Sequence, residues 1–263
     1  MPLKTDRSEV FAMQNEDAVF VNRLYDLAEN ACATSKYRFT PFLGLHEQNL
    51  LFKEKASLEY AGLTLWGGQA ECERRIARFG DEAICGYEVP FPITLLCLRP
   101  VSQKYADKLT HRDVLGALMG LGIERSVVGD IYLHDNVGYC FVLSHMAQMI
   151  CNELSAAKHT VLQCEMIDEL PQGVGIAQRN EIFLVASERL DCIVAAVFSL
   201  SRETAAELFR HEKVFVNGRT AQGSRTAEKN AIISVRGFGR FRYEGVESVS
   251  RKGKPRVSVW IYE

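Results

Sequence analysis

The sequence predicts an α+β protein in three parts, and three observations carry that reading. Residues 93–167 run strand, helix, strand, strand, helix, strand, judged by where apolar spacing changes between periods near 2 and near 3.6. Residues 189–212 hold two short amphipathic helices, followed by strand signals to residue 263. Residues 1–84 combine a long amphipathic helix with shorter, mixed elements. The expected domains are therefore 1–84, 85–170 and 181–263. The Pro, Gly and polar residues of "DELPQGVGIAQRN" (168–180) separate the last two.

In the first part, "EDAVFVNRLYDLAENACA" (16–33) places Val19, Phe20, Leu24, Leu27 and Ala28 on one side of a helix. "LEYAGLTLWGG" (58–68) is expected to be a strand ending in a turn, and "AECERRIARFG" (70–80) a basic helix.

In the middle part, "ITLLCL" (93–98) is a strand. "HRDVLGALMGLG" (111–122) is a helix with Val114, Leu115, Leu118 and Met119 on its apolar side. Two β-rich runs flank the turn pair Asp135-Asn136. "SHMAQMICNELSAA" (144–157) is a helix with Ser144 as N-cap, and "HTVLQCEMI" (159–167) is the last strand. This order is the split βαβ, or ferredoxin-like, plan (βαββαβ) that RNA-recognition domains also use. "GYCFV" (138–142) partly echoes their base-stacking strand. Val137 stands where that strand begins with a base, and the first strand has no aromatic. Packing is thus the role Tyr139 and Phe141 favour.

In the last part, Leu190, Ile193, Val194, Val197 and Phe198 have helical spacing. Ser201 caps a second helix, with Ala205, Leu208 and Phe209 inward and Glu203 in the first turn. Arg202 and Arg210 are eight residues apart, so they project from a similar side about 12 Å apart. Val214 and Val216 alternate into the hairpin pair Asn217-Gly218. "IISVRGFGRFRYEG" (232–245) reads as one strand. It would set Arg236, Phe238, Arg240 and Arg242 on one face and allow a bulge at its glycines.

Charge agrees with this division. Net charge is −2 overall, but residues 181–263 carry 14 Lys/Arg against 10 Asp/Glu. A basic C-terminal part suits an anionic partner. The eight cysteines form no CxxC pair and the six histidines no HxxxH or HExxH pattern. Reduced thiols in a cytoplasmic protein, with no metal and no cofactor, are expected. The N-terminus lacks the apolar core of a signal peptide. Glu188, Arg189 and Asp191 interrupt the longest apolar run, which argues against a membrane span.

The residues "RLDCIVAAVFSLSRETAAELFRHEKVFVNG" (189–218) resemble the alpha-L RNA-binding motif, named after ribosomal protein S-four. Arg189, Asp191, Ser201, Arg202, Ala205, Val214, Val216, Asn217 and Gly218 carry the match. Across nearly its whole length the chain resembles the YlmH family, through "WGG" (66–68), "HRDVLGALMGLGIERSVVGDI" (111–131), "ISVRGFGRF" (233–241) and "RKGKPRV" (251–257). The resemblance implies an N-terminal domain, an RRM-like middle domain and a C-terminal alpha-L RNA-binding domain of two helices and a small sheet. It implies binding of rRNA and tRNA on the large ribosomal subunit and work in ribosome-associated quality control. It also implies an alanine-tailing factor as partner, a monomer and an older cell-division label. By family pattern Arg189, Arg202, Arg210 and Lys213 contact phosphates. Asp191, Ser201, Asn217 and Arg219 of the motif, with Arg236 and Arg240 beyond it, complete the candidate RNA-binding set. Two positions depart from the pattern: Glu212 and Asn230-Ala231 replace Gly and Gly-Asp.

Catalytic signatures are missing. "GVGIAQ" (173–178) lacks the third glycine of a nucleotide loop, and there is no P-loop and no GxSxG. Asp168-Glu169 suits a solvated turn, and His111 a cap or surface contact. The expectation is a non-enzymatic RNA-binding protein. The alternatives are an RNA-modifying enzyme with an unrecognised site in residues 1–170 and a division-linked interaction protein.

Overall fold

The computed structural model describes residues 7–175 and 178–262. Two compact units result, residues 1–175 and 176–263. The protein is mixed α+β, with three antiparallel sheets among the described residues.

The first unit opens with α1 (Arg7–Thr34), β1 (Arg38–Leu43), α2 (Leu45–Lys53), α3 (Lys55–Leu58), β2 (Thr64–Trp66), β3 (Arg75–Phe79) and α4 (Glu82–Cys85). Its three strands pair in the order β1-β3-β2. Leu24, Ala28 and Ala31 of α1 pack with Ala77 and Phe79 of the sheet and with Leu51 and Leu58. Two expectations fail here. Residues 58–63 are a short helical turn and loop, leaving only 64–66 as strand. The expected basic helix over 70–80 is instead a loop followed by the central strand β3. Arg75 donates to the carbonyls of Cys72 at 2.9 Å and Ala70 at 3.0 Å, tying down that loop. Burial of Ile76, Ala77 and Phe79 in the middle of the sheet outweighs helix propensity.

The same unit continues with β4 (Ile93–Pro100), α5 (His111–Gly120), β5 (Val128–His134), β6 (Val137–Leu143), α6 (Ser144–Glu153), β7 (Ala156–Ala157) and β8 (Thr160–Ile167). The sheet order β5-β6-β4-β8-β7 contains the antiparallel 2-3-1-4 arrangement of a split βαβ unit, extended by β7. Asp135 (φ 48°) and Asn136 (φ 61°) make a two-residue loop with both residues left-handed. Asn136 also accepts from the Leu109 N–H at 2.7 Å and donates to the Asp107 carbonyl at 2.9 Å. Thr110 caps α5 and Asp113 reciprocates, so His111 is the first helical residue. The α6 cap position falls on Leu143, so Ser144 begins that helix rather than capping it.

The second unit comprises β9 (Gln178–Leu184), α7 (Leu190–Val197), α8 (Arg202–Arg210), β10 (Val214–Val216), β11 (Arg219–Thr220), β12 (Ile232–Val235), β13 (Gly239–Val249) and β14 (Pro255–Tyr262). The six strands pair in the order β11-β10-β12-β13-β14-β9. Ile193 and Val194 of α7 and Ala205 and Leu208 of α8 meet Ile233, Phe241, Tyr243, Val257 and Val259 in one buried core. Full burial of each large side chain there contributes about 1.5–3 kcal/mol. The expected single strand over 232–245 is a hairpin. Val235 pairs with Gly239, and Phe238 N–H donates back to the Val235 carbonyl at 3.0 Å. Gly237 (φ 87°) and Gly239 (φ 124°) supply the left-handed backbone of the turn, so they reverse the chain instead of making a bulge. Phe238 accordingly leaves the row of Arg240 and Arg242. Part of the Gly-rich run 173–178 lies outside the described residues.

Among the described residues, no helix is long and apolar enough to cross a membrane, and no His/Cys/Asp/Glu group is arranged to hold a metal ion. All eight cysteines are thiols.

Candidate nucleic-acid interface

The residues expected to touch RNA fall in the second unit, at three places. Arg189 ends the chain segment that enters α7 and grips Asp191 in the first helical turn. Its Nε lies 3.1 Å from Asp191 Oδ1, and a second nitrogen bonds Oδ2. Burial alone would raise the Asp191 carboxyl. Hydrogen bonds from Arg189 and Cys192 and the Arg189 charge outweigh it and hold the carboxyl below the ordinary range. Backbone bonds fix the start of the helix: Leu190 N–H donates to the Arg225 carbonyl and Asp191 N–H to the Gly223 carbonyl. Gly223 sits tightly there, since a Cβ would come 3.1 Å from Asp191 and from Phe209.

Arg189, Asp191 and Arg202 line one cleft of about 300 Å³ with Ala186, Ser187 and Cys192. Arg202 also borders an adjoining hollow of about 280 Å³ that Lys254 lines from β14's approach. Lys254 was absent from the sequence-derived set because its place in "RKGKPRV" marks only a basic turn. No ion pair engages Arg202 or Lys213 among the described residues. Exposed Arg202 heads α8, exposed Lys213 follows its end, and Arg210 near that end stands 3.9 Å from Glu207.

The third place is the strand edge after α8. The Arg236 N–H donates to the Lys213 carbonyl at 2.9 Å, bringing these two cations' backbones side by side. Arg236 lies over the Phe215 ring at 4.8 Å, and Arg240 over the Tyr262 ring at 4.8 Å. Burial lowers the pKa of Arg240. Arg219 lies half-buried on β11.

Two members of the set spend their side chains on the fold. Ser201 Oγ accepts from the Thr204 N–H at 3.0 Å, capping α8. Asn217 (φ 48°) accepts from the Ile232 N–H at 2.9 Å, tying the β10–β11 turn to β12. Two of the three residues that depart from the motif are left-handed: Glu212 at φ 52° and Asn230 at φ 66°.

The middle sheet offers no open stacking face at its centre. Tyr139 and Phe141 are buried, and Phe141 meets Tyr132 edge-on at 6.3 Å. The segment after β2 lies across Phe141: a Cβ on Gly68 would stand 2.4 Å from that ring. The covering segment is held by a buried carboxylate. Asp130 accepts from the N–H groups of Glu73 at 2.6 Å and Arg74 at 3.0 Å, and from the Tyr132 hydroxyl at 3.3 Å. Burial nonetheless raises its pKa.

Residues 88–169 match a family model described as "Putative RNA-binding domain in YlmH". The chain is 28% identical over 253 residues to a Bacillus subtilis (strain 168) protein named ribosome-associated protein quality control protein P2, an alignment covering 93% of this chain and 95% of that one. A solved structure titled cell division protein ylmH from Streptococcus pneumoniae aligns with TM-score 0.45 and 20% identity, over 58% of this chain and 92% of that chain. The chain is thus similar to the YlmH RNA-binding domain over residues 88–169 and, nearly end to end, to the Bacillus ribosome-associated quality control protein.

Proposed function

We propose that this chain is a non-enzymatic RNA-binding protein of the ribosome. It binds rRNA and tRNA on the large subunit and supports alanine tailing of stalled nascent chains as a cytoplasmic monomer beside a tailing factor. The observation that carries the reading is α8: Arg202 and Arg210 project from similar sides of one rigid helix. Lys213 follows the helix, and Arg202 shares a cleft with the clamped Arg189. Cations held at fixed spacing along an element suit a phosphate backbone. The family-model match and the name of the Bacillus relative support the ribosomal setting. In this reading residues 1–84, 85–170 and 181–263 act as three domains, with the last gripping RNA and the others positioning it.

The test is co-sedimentation of purified large subunits with the Arg202→Ala/Arg210→Ala protein across a salt series. Loss of two phosphate contacts should weaken binding and make the slope of log affinity against log salt shallower by about 2. Unchanged affinity and slope would rule out this helix as the RNA face.

A further inference from the structure

The six-stranded sheet has a second face, turned away from α7 and α8. Strand pairing sets its side chains in rows. Phe215, Ser234, Arg240 and Tyr262 form one row across β10, β12, β13 and β14. Ile232, Arg242, Trp260 and Asn180 form the next, across β12, β13, β14 and β9. The first row spans three strand spacings, about 14 Å.

We propose that this open sheet face is a stacking platform for unpaired RNA bases, distinct from the phosphate contacts of α8. The proposal rests on the RNA-binding reading above and adds a second class of contact to it. Its first support is the pairing of guanidinium with ring: Arg236 on Phe215 and Arg240 on Tyr262, each with Cζ 4.8 Å from the ring centroid. Aromatic faces and guanidinium planes are both surfaces on which splayed bases stack. Trp260 lies one row away, half-buried and beside Arg242 across the ladder.

Charge is the second support. Arg236, Arg242 and Arg256 lie on this side against Glu244, which pairs with Arg242 at 2.6 Å. Such a surplus suits a phosphate-linked ligand. The platform has room for two or three bases, the number a sheet of similar width holds in RNA-recognition domains. Ile182 and Leu184 of β9, 52% and 54% exposed, extend the face with apolar surface.

The test uses the full chain carrying Trp66→Phe, which leaves Trp260 as its only tryptophan. The probes are a 12-nucleotide oligouridylate and a fully paired RNA hairpin. Oligouridylate should quench Trp260 fluorescence. Arg236→Ala/Arg240→Ala should weaken oligouridylate binding on the order of tenfold and hairpin binding by a clearly smaller factor. Should the double variant lose its cooperative melt, Arg236→Ala alone, on an exposed turn, gives the same comparison. Hairpin binding without any oligouridylate binding would overturn the platform and leave the phosphate reading standing, as would oligouridylate binding that leaves Trp260 unquenched. Equal loss of both probes in the variants would reduce the two surfaces to one and also overturn it. A Trp260 response to ribosomal proteins but not to oligouridylate would assign the face to a protein. Failure to bind either RNA would sink the RNA-binding reading itself.

Discussion

Gly68 lies flat against the ring of Phe141, close enough that a Cβ would stand 2.4 Å from two ring carbons. The backbone of "WGG" thereby covers the centre of a sheet whose strand order is that of RNA-recognition domains. Gly67 is similarly confined, with Cys72 at 2.4 Å and the Arg74 carbonyl at 2.5 Å from an added Cβ.

Gly68→Ala therefore meets two penalties, an overpacked ring and a φ of 108° that alanine rarely adopts. We expect a loss of at least ~2 kcal/mol in chemical unfolding of the first unit. Gly116→Ala is the control: it sits within α5 with open space around it, and should stabilise by about 0.5–1 kcal/mol. Equal stability of the two variants would show that the covering segment is not packed on Phe141.

Glu212 holds a left-handed conformation at the turn between α8 and β10. Glu212→Gly should stabilise the second unit by about 0.5–1 kcal/mol. Asn230→Gly should do less, because asparagine tolerates that region. Glu212→Gln keeps the strain and removes the charge. It should tighten RNA binding with little change in stability, while glycine improves both. A gain in stability from glutamine equal to that from glycine would mean that charge, not backbone strain, is the cost at this position.

How much of this was legible depends on the kind of signal. The middle order was readable because apolar periods there are clean and Asp135-Asn136 marks the turn. The strand β3 was not. "RRIARF" has arginines at helix-like spacing, and only its pairing on both sides with β1 and β2 makes it a strand. The 236–238 turn was half-legible: its glycines flagged left-handed backbone, but a bulge and a reversal require the same residues. At the candidate interface the cations could be named from the motif. Ser201 as a cap and Asn217 in a turn were legible from local signals as well. The clamp of Arg189 by Asp191 and the place of Lys254 were not, because they depend on how the chain packs around α7.

The Arg189–Asp191 clamp should show in acid. The Asp191 carboxyl ionises below the value near 3.9 of a free chain, so the folded unit takes up that proton less readily than the unfolded one. Its stabilisation is complete above about pH 5 and fades as pH falls below about 4 through the folded value. Asp191→Asn removes this contribution. The stability gap between the original protein and the variant should therefore be widest near pH 6 and narrow toward pH 3 in urea titrations. A gap that does not change with pH would mean that the clamp is not ionic.

Arg74 joins the two sheets of the first unit. Its guanidinium donates to the Phe42 carbonyl of β1 at 2.8 Å and to the Val128 carbonyl of β5 at 2.9 Å. Burial, with the Arg125 charge beside it, pulls its pKa down to about 10. The planar fork can serve both carbonyls at once, whereas an ammonium on a flexible stem can do so only with poorer geometry. Arg74→Lys should therefore cost about 2 kcal/mol, within the range for hydrogen bonds to charged groups. It should also loosen the join, because the Arg74 backbone N–H that donates to Asp130 loses its side-chain anchor. We expect its urea unfolding to broaden or split, and limited proteolysis to cut first between residues 66 and 75. A single transition with unchanged midpoint and slope would mean that packing around Gly68 and Phe141 joins the sheets without help from Arg74.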